Sequence, residues 1–196
     1  MSFYRCNSSS EIINTMVEQQ NINWADIKEK LPYGRDPATK AKRDKIWSYI
    51  DVNGNGYVSL AEVDKGLRDV LQLDSVFNCK KAIMRAFQAS KNAVKTKSKH
   101  GDDYIERCEF RLLLQYLRQY FEYFQAFARI DTGDDNRIDL AEFVKAKSQI
   151  EAWVGKIADP TAEFHKIDKN GGGQILFDEF CEWAIAKNLD LEDDDD

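Results

Sequence analysis

Three stretches of this chain place hard oxygen donors at one fixed twelve-residue spacing. The first runs Asp51-Val52-Asn53-Gly54-Asn55-Gly56-Tyr57-Val58-Ser59-Leu60-Ala61-Glu62, the second from Asp131 to Glu142, and the third from Asp168 to Glu179. Each opens on Asp, closes on Glu and has a β-branched residue at its eighth position: Val58, Ile138 and Ile175. Carboxylate, amide and carbonyl oxygens suit a hard cation. Calcium takes about six to eight of them, supplied in such a loop by positions 1, 3, 5, 7, 9 and 12, with a sharp turn at position 6.

In the first loop Asp51, Asn53, Asn55 and Ser59 offer side-chain oxygens, Tyr57 offers its carbonyl, Gly56 makes the turn and Glu62 closes. Only two of these donors are carboxylates, which predicts modest affinity. The second loop has four carboxylates, Asp131, Asp135, Asp139 and Glu142, with the Arg137 carbonyl between them. Its position 3 is Gly133, so water or Asp134 must substitute; Asn136 at position 6 tolerates a left-handed backbone. The third offers Asp168, Asn170, the Gln174 carbonyl and Glu179, and its Gly172 and Leu176 leave two places to water. The expected ligand is Ca2+, with Mg2+ an alternative occupant at rest.

The flanks show what holds these loops. One and four residues ahead of each are apolar, Ile50 and Trp47, Ile130 and Phe127, Ile167 and Phe164, and Val63, Phe143 or Phe180 follows each closing Glu. That framing predicts helix-loop-helix units of the EF-hand type. Such units bury an apolar face against a neighbour, so three loops imply a fourth. Tyr104 to Phe110 has the second half of the pattern, with Ile105 at position 8 and Glu109 at position 12. Counting back places Ser98 at position 1 and His100 at position 3. Ending the preceding helix at Phe87 restores the apolar framing but leaves a loop ten residues too long, with a basic insert of Lys91, Lys95, Lys97 and Lys99. Either way the calcium geometry is spoiled, and this reads as a structural hand whose Ile105 pairs with Val58, as Ile138 pairs with Ile175.

The expected fold is all-α, with four EF-hand units in two paired lobes and short β contacts between loops. Residues 1–37 are expected to be a mobile arm with a short helix near 24–31, residues 38–112 the first pair, 113–189 the second pair, and 190–196 an acidic tail.

Composition narrows the function. The chain has 196 residues, 43% hydrophobic, which is enough for a folded core. Its net charge is −6, with six acids among the last seven residues, and no basic stripe with interleaved aromatics marks a nucleic-acid binder. Cys6, Cys79, Cys108 and Cys181 form no CxxC pair, which argues against zinc and for reduced thiols in an intracellular, cytoplasmic protein. The most apolar stretch, Phe110 to Ile130, carries Arg111, Arg118, Glu122 and Arg129 and is a poor membrane span. With two His and no nucleophile-base set or phosphate loop, the chain does not read as an enzyme. The run Tyr116, Tyr120, Phe121, Tyr123, Phe124 and Phe127 reads as core, and as surface that a calcium sensor partly uncovers. The reading is a calcium sensor with a protein partner of unknown identity; a soluble calcium buffer is the alternative, and a calcium-triggered photoprotein the remote one, against which the scarcity of His argues. Dimerisation is left open.

Glu109-Phe110-Arg111-Leu112-Leu113-Leu114, Ile150-Glu151-Ala152-Trp153, Asp159-Pro160 and Phe177-Asp178-Glu179-Phe180 resemble the calflagins, flagellar calcium-binding proteins of trypanosomatids. The resemblance covers roughly residues 40 to 190 and includes the long insert. It implies a membrane-associated sensor with four hands in two lobes, located in the flagellum or cilium. It also implies metal sites in the last two hands, here the loops opening at Asp131 and Asp168. Two departures stand out. That family's first hand is degraded, whereas Asp51 to Glu62 is intact. The family carries an N-terminal Gly for myristoylation beside a palmitoylated Cys, whereas Met1 is followed by Ser2 here, leaving Cys6 as a weak anchor.

Overall fold

In a computed structural model of the chain, residues 22–93, 101, 103–189 and 191 are described. The expected mobile arm up to residue 21 with Cys6, the insert positions Lys95, Lys97, Ser98, Lys99 and His100, and the acids of the tail lie outside the described residues.

Helix α1 spans Trp24–Lys30 and starts on Asn23, whose side chain accepts the Asp26 N–H at 3.0 Å. It stops just ahead of Pro32. Helix α2, Pro37–Ile50, begins with a proline where the missing N–H goes unused, and the Asp36 carboxylate accepts the Thr39 N–H at 2.8 Å. There follow β1 (Tyr57–Ser59), α3 (Leu60–Lys65) with a π turn at Gly66–Val70, α4 (Asp74–Asn78) and α5 (Lys80–Ala93). After these come β2 (Tyr104–Glu106), α6 (Phe110–Ile130), β3 (Arg137–Asp139), α7 (Leu140–Lys145), α8 (Lys147–Val154), α9 (Pro160–Ile167), β4 (Gln174–Leu176) and α10 (Phe177–Lys187).

The fold is the all-α EF-hand arrangement. Its β contacts join the loops in antiparallel pairs, with Val58 opposite Ile105 and Ile138 opposite Ile175. All four of these side chains are fully buried, so each pair closes the core beneath two loops.

The 21-residue α6 organises the molecule. It leaves hand two and enters hand three without a break, so residues 112 and 113, where the sequence divides the pairs, lie inside it. Leu113, Leu117, Phe121, Phe127 and Ile130 are buried along it. At its start Trp47 of α2 meets Phe110 edge-on at 5.1 Å, and at mid-length Trp24 of α1 meets Phe121 at 5.5 Å. Near its end Phe127 meets Phe177 and Phe180 of α10 at 5.6 and 5.5 Å. Among the described residues no helix is long and apolar enough to cross a membrane.

The two readings of the helix before hand two are now decided. Helix α5 does not end at Phe87; it runs on to Ala93. Ala82, Ile83, Ala86, Phe87, Ser90 and Lys91 form one continuous buried face at helical spacing, and burial of that face outweighs the polarity of its last turn. Lys91 is therefore a helix residue and not part of the insert.

Candidate metal centres

Each of the three acidic loops hangs between an incoming helix and a short outgoing one. The position-1 carboxylates of Asp51, Asp131 and Asp168 are almost buried, 8%, 9% and 7% exposed. Burying an ionised group requires partners, and the loop backbone supplies them. Asp51 accepts the N–H groups of Asn55 and Gly56, each at 3.1 Å. Asp131 accepts those of Asp135 and Asn136 at 3.3 and 2.8 Å, and Asp168 those of Gly172 and Gly173 at 3.0 and 2.8 Å. The same two positions, 5 and 6, thus fold around the same aspartate three times.

That wrap requires a left-handed backbone at position 6. Gly56 and Gly173 reach it at φ 88° and 75°, and Asn136 at φ 64°. Position 4 is left-handed in each loop as well, with Gly54 at φ 67°, Asp134 at 53° and Gly171 at 68°.

The closing glutamates are held from the other side. Glu62 accepts the Ser59 N–H at 2.9 Å, Glu142 the Asp139 N–H at 3.0 Å and Glu179 the Leu176 N–H at 3.0 Å. In the first two the bond is half of a reciprocal cap, since Ser59 and Asp139 accept the Glu62 and Glu142 N–H in turn. The second carboxylate oxygen turns into the loop. It takes the Asn53 amide at 3.5 Å, or the Gly133 N–H and Thr132 hydroxyl at 2.8 and 3.1 Å, or the Asn170 N–H and amide at 3.1 and 2.7 Å.

The remaining donors fall at the rims. Asn53 and Asn55 accept the Asn55 and Tyr57 N–H groups at 2.9 and 3.0 Å, Asp135 the Arg137 N–H at 3.0 Å and Asn170 the Gly172 N–H at 2.8 Å. Tyr57, Arg137 and Gln174 are the first residues of β1, β3 and β4. Among the described residues no three His, Cys, Asp or Glu side chains converge by themselves. The donor sets are mixed, and in the Asp131 loop Asp139 and Glu142 are engaged with each other's backbone. The chemistry fits calcium: buried or backbone-bound oxygens gather in each loop. In the Asp131 loop burial, then the nearby charges of Glu142 and Asp135, raise the Asp131 carboxyl above its ordinary value despite two backbone hydrogen bonds.

Hand two is built differently. Glu109 occupies the closing position and accepts the Glu106 N–H at 2.7 Å, as its three counterparts do. Both its oxygens then meet the Lys91 ammonium, at 3.0 and 3.1 Å. The two side chains are 2% and 3% exposed. The helical spacing of Ile83, Phe87 and Lys91 along α5 carries the signal for this lysine.

Other charged groups outside the loops, which no sequence motif marks, also find partners. Glu163 of α9 takes the Trp183 indole N–H at 3.0 Å and the Lys187 and Lys166 ammonium groups at 2.9 and 3.2 Å. These bonds, Lys187 foremost, hold its carboxyl down to about 2. Arg85 of α5 reaches Asp178 beside the closing Glu179 at 2.8 Å. Cys79 and Cys181 are buried, and burial pushes the Cys79 thiol up to about 12 and Cys181 higher still, so neither is a ready nucleophile. His165 is exposed on α9.

The FCaBP EF-hand domain model matches residues 27–117 and the EF-hand domain pair model residues 120–185. The chain is 34% identical over 175 residues to a flagellar calcium-binding protein of Trypanosoma cruzi, covering 88% of this chain and 83% of that one. It is 32% identical over 179 residues to flagellar calcium-binding protein TB-17 of Trypanosoma brucei brucei, covering 90% and 77%. Among solved structures, a homolog of programmed cell death 6 protein from Leishmania major Friedlin is 18% identical, covers 74% of this chain and 75% of that one, and superposes with a TM-score of 0.39. The repeated wrap of backbone amides around Asp51, Asp131 and Asp168 and the identity along nearly the whole chain lead to one assignment: this is a calcium-binding EF-hand protein of the flagellar calcium-binding protein family.

Proposed function

We propose that the protein is a calcium sensor that binds the ion at hands one, three and four and answers by repacking its helices. The ligands are Asp51, Asn53, Asn55, the Tyr57 carbonyl, Ser59 and Glu62; Asp131, Asp135, the Arg137 carbonyl, Asp139 and Glu142; and Asp168, Asn170, the Gln174 carbonyl and Glu179. Magnesium competes for the same oxygens at rest. The observation that carries the sensor reading is the aromatic seam between α6 and α10, where Phe124 and Phe127 both stand edge-on to Phe177 at 5.6 Å. Phe177 lies two residues ahead of Glu179. A pull on Glu179 by an ion is transmitted directly to that seam, and a change of helix angle there uncovers aromatic surface. The chain acts on a protein partner and not on a chemical substrate. A flagellar location follows the names of its relatives, and residues 38–112 and 113–189 work as two paired units sharing α6.

The test is hydrophobic-dye fluorescence of the full chain as calcium is added to metal-stripped protein, with Glu179→Gln as the control. A sensor gives a rise in dye binding that Glu179→Gln abolishes. A flat dye signal alongside full calcium uptake refutes the sensor reading and leaves a buffer, whose hands barely open.

A further inference from the structure

We infer that hand two carries its own permanent cation: the Lys91 ammonium stands in for calcium at Glu109 and keeps this hand closed without metal. The comparison is internal to the molecule. In all four hands the closing glutamate accepts the N–H three residues before it, at 2.9 Å in hand one, 2.7 Å in hand two, and 3.0 Å in hands three and four. Glu109 is therefore in register with Glu62, Glu142 and Glu179. What faces the carboxylate differs. In hands one, three and four the facing groups are neutral loop donors, which an arriving ion can displace. In hand two a full positive charge already bridges both oxygens, at 3.0 and 3.1 Å, in a site with almost no solvent access.

A two-oxygen grip on a central cation is what a closing glutamate gives calcium. Lys91 reaches that place because α5 runs past Phe87 to Ala93, so the lengthened helix delivers the ammonium where a loop would deliver a metal. A hydrophobic residue there would leave Glu109 buried and unpaired, and a calcium ion would have to displace a tethered charge. Hand two pairs through Val58 and Ile105 with hand one. The β partner of loop one is thus ordered before any ion arrives, which lowers the ordering that calcium at loop one must bring about.

Hydrogen exchange on the full chain tests this through four equivalent amides: Ser59, Glu106, Asp139 and Leu176. In metal-stripped protein the Glu106 N–H should exchange more slowly than the other three by at least about tenfold, well within what loss of a buried charge partner represents. Lys91→Gln should abolish that difference, while Lys91→Arg should keep most of it. Equal exchange of all four amides without metal overturns the inference, and so does an unchanged Glu106 N–H in Lys91→Gln. Should Lys91→Gln fail to fold, Lys91→Met with Glu109→Gln removes both charges together; recovery of folding in that pair supports the inference, and no recovery overturns it. These outcomes are independent of dye binding, so they stand apart from the sensor reading.

Discussion

Replacing Glu142 by Gln separates the proposed metal-binding role of hand three from its folding role. A divalent ion about 2.4 Å from a carboxylate oxygen gains about 3.5 kcal/mol from the charge even at the dielectric constant of water. The amide keeps one neutral oxygen, and Asp131, Asp135 and Asp139 remain, so the expected loss is about 2–3 kcal/mol, or about 30- to 150-fold in Kd. The metal-free protein should barely notice. The Gln carbonyl can still accept the Asp139 N–H, now at 3.0 Å, while the Gly133 N–H loses its 2.8 Å acceptor at about 1 kcal/mol. Against that, the Glu142 charge is among the causes that raise the Asp131 carboxyl, after burial. An acid held above its ordinary value opposes folding once ionised, and removing Glu142 relieves part of this. Calorimetric titration should therefore lose one site near wild-type affinity, with thermal unfolding without calcium shifted by less than about 3 °C. Retention of every site would refute the ligand assignment. A fall of more than about 8 °C in the metal-free protein would show that Glu142 serves chiefly to build the fold.

Glu163 gives a pH prediction. Its folded value of about 2 lies below the ordinary 4.5, so its contribution is present above pH 4.5 and is lost as pH falls toward 2. Lys166 and Lys187 are 72% and 36% exposed, so screening reduces that contribution to about 1–2 kcal/mol. Urea unfolding of Glu163→Gln should show this deficit at pH 6 and lose most of it by pH 3; a deficit independent of pH would refute the charge-based account. Gly66→Ala should destabilise, since a Cβ there would lie 2.7 and 2.8 Å from the Cγ1 and Cδ1 of Ile50, just ahead of loop one. Overpacking of about 1–3 kcal/mol outweighs the gain of about 1 kcal/mol in helix propensity, so the urea midpoint should fall, whereas a rise would show that Ile50 simply moves aside.

The candidate loops were legible in the sequence because a calcium loop is local. Twelve consecutive residues supply the donors, the turn at position 6 and the β-branched residue at position 8, and the helices on either side announce themselves by apolar spacing. Val58 opposite Ile105 and Ile138 opposite Ile175 followed from that local register alone. Hand two was legible only in its second half, since the ammonium that faces Glu109 comes from 18 residues upstream and sits in a stretch whose polarity reads as loop. Whether α5 stopped at Phe87 or carried Lys91 inward depended on a buried face completed by other helices, and no window of sequence contains that. The continuity of α6 through two hands, the seating of Trp24 against Phe121 and the Glu163 cluster are likewise contacts between distant segments. Local chemistry therefore determined where calcium-type loops stand and what they offer. Tertiary packing decided which closing glutamate is already neutralised, because burial of a charge is settled by whatever the fold brings opposite it.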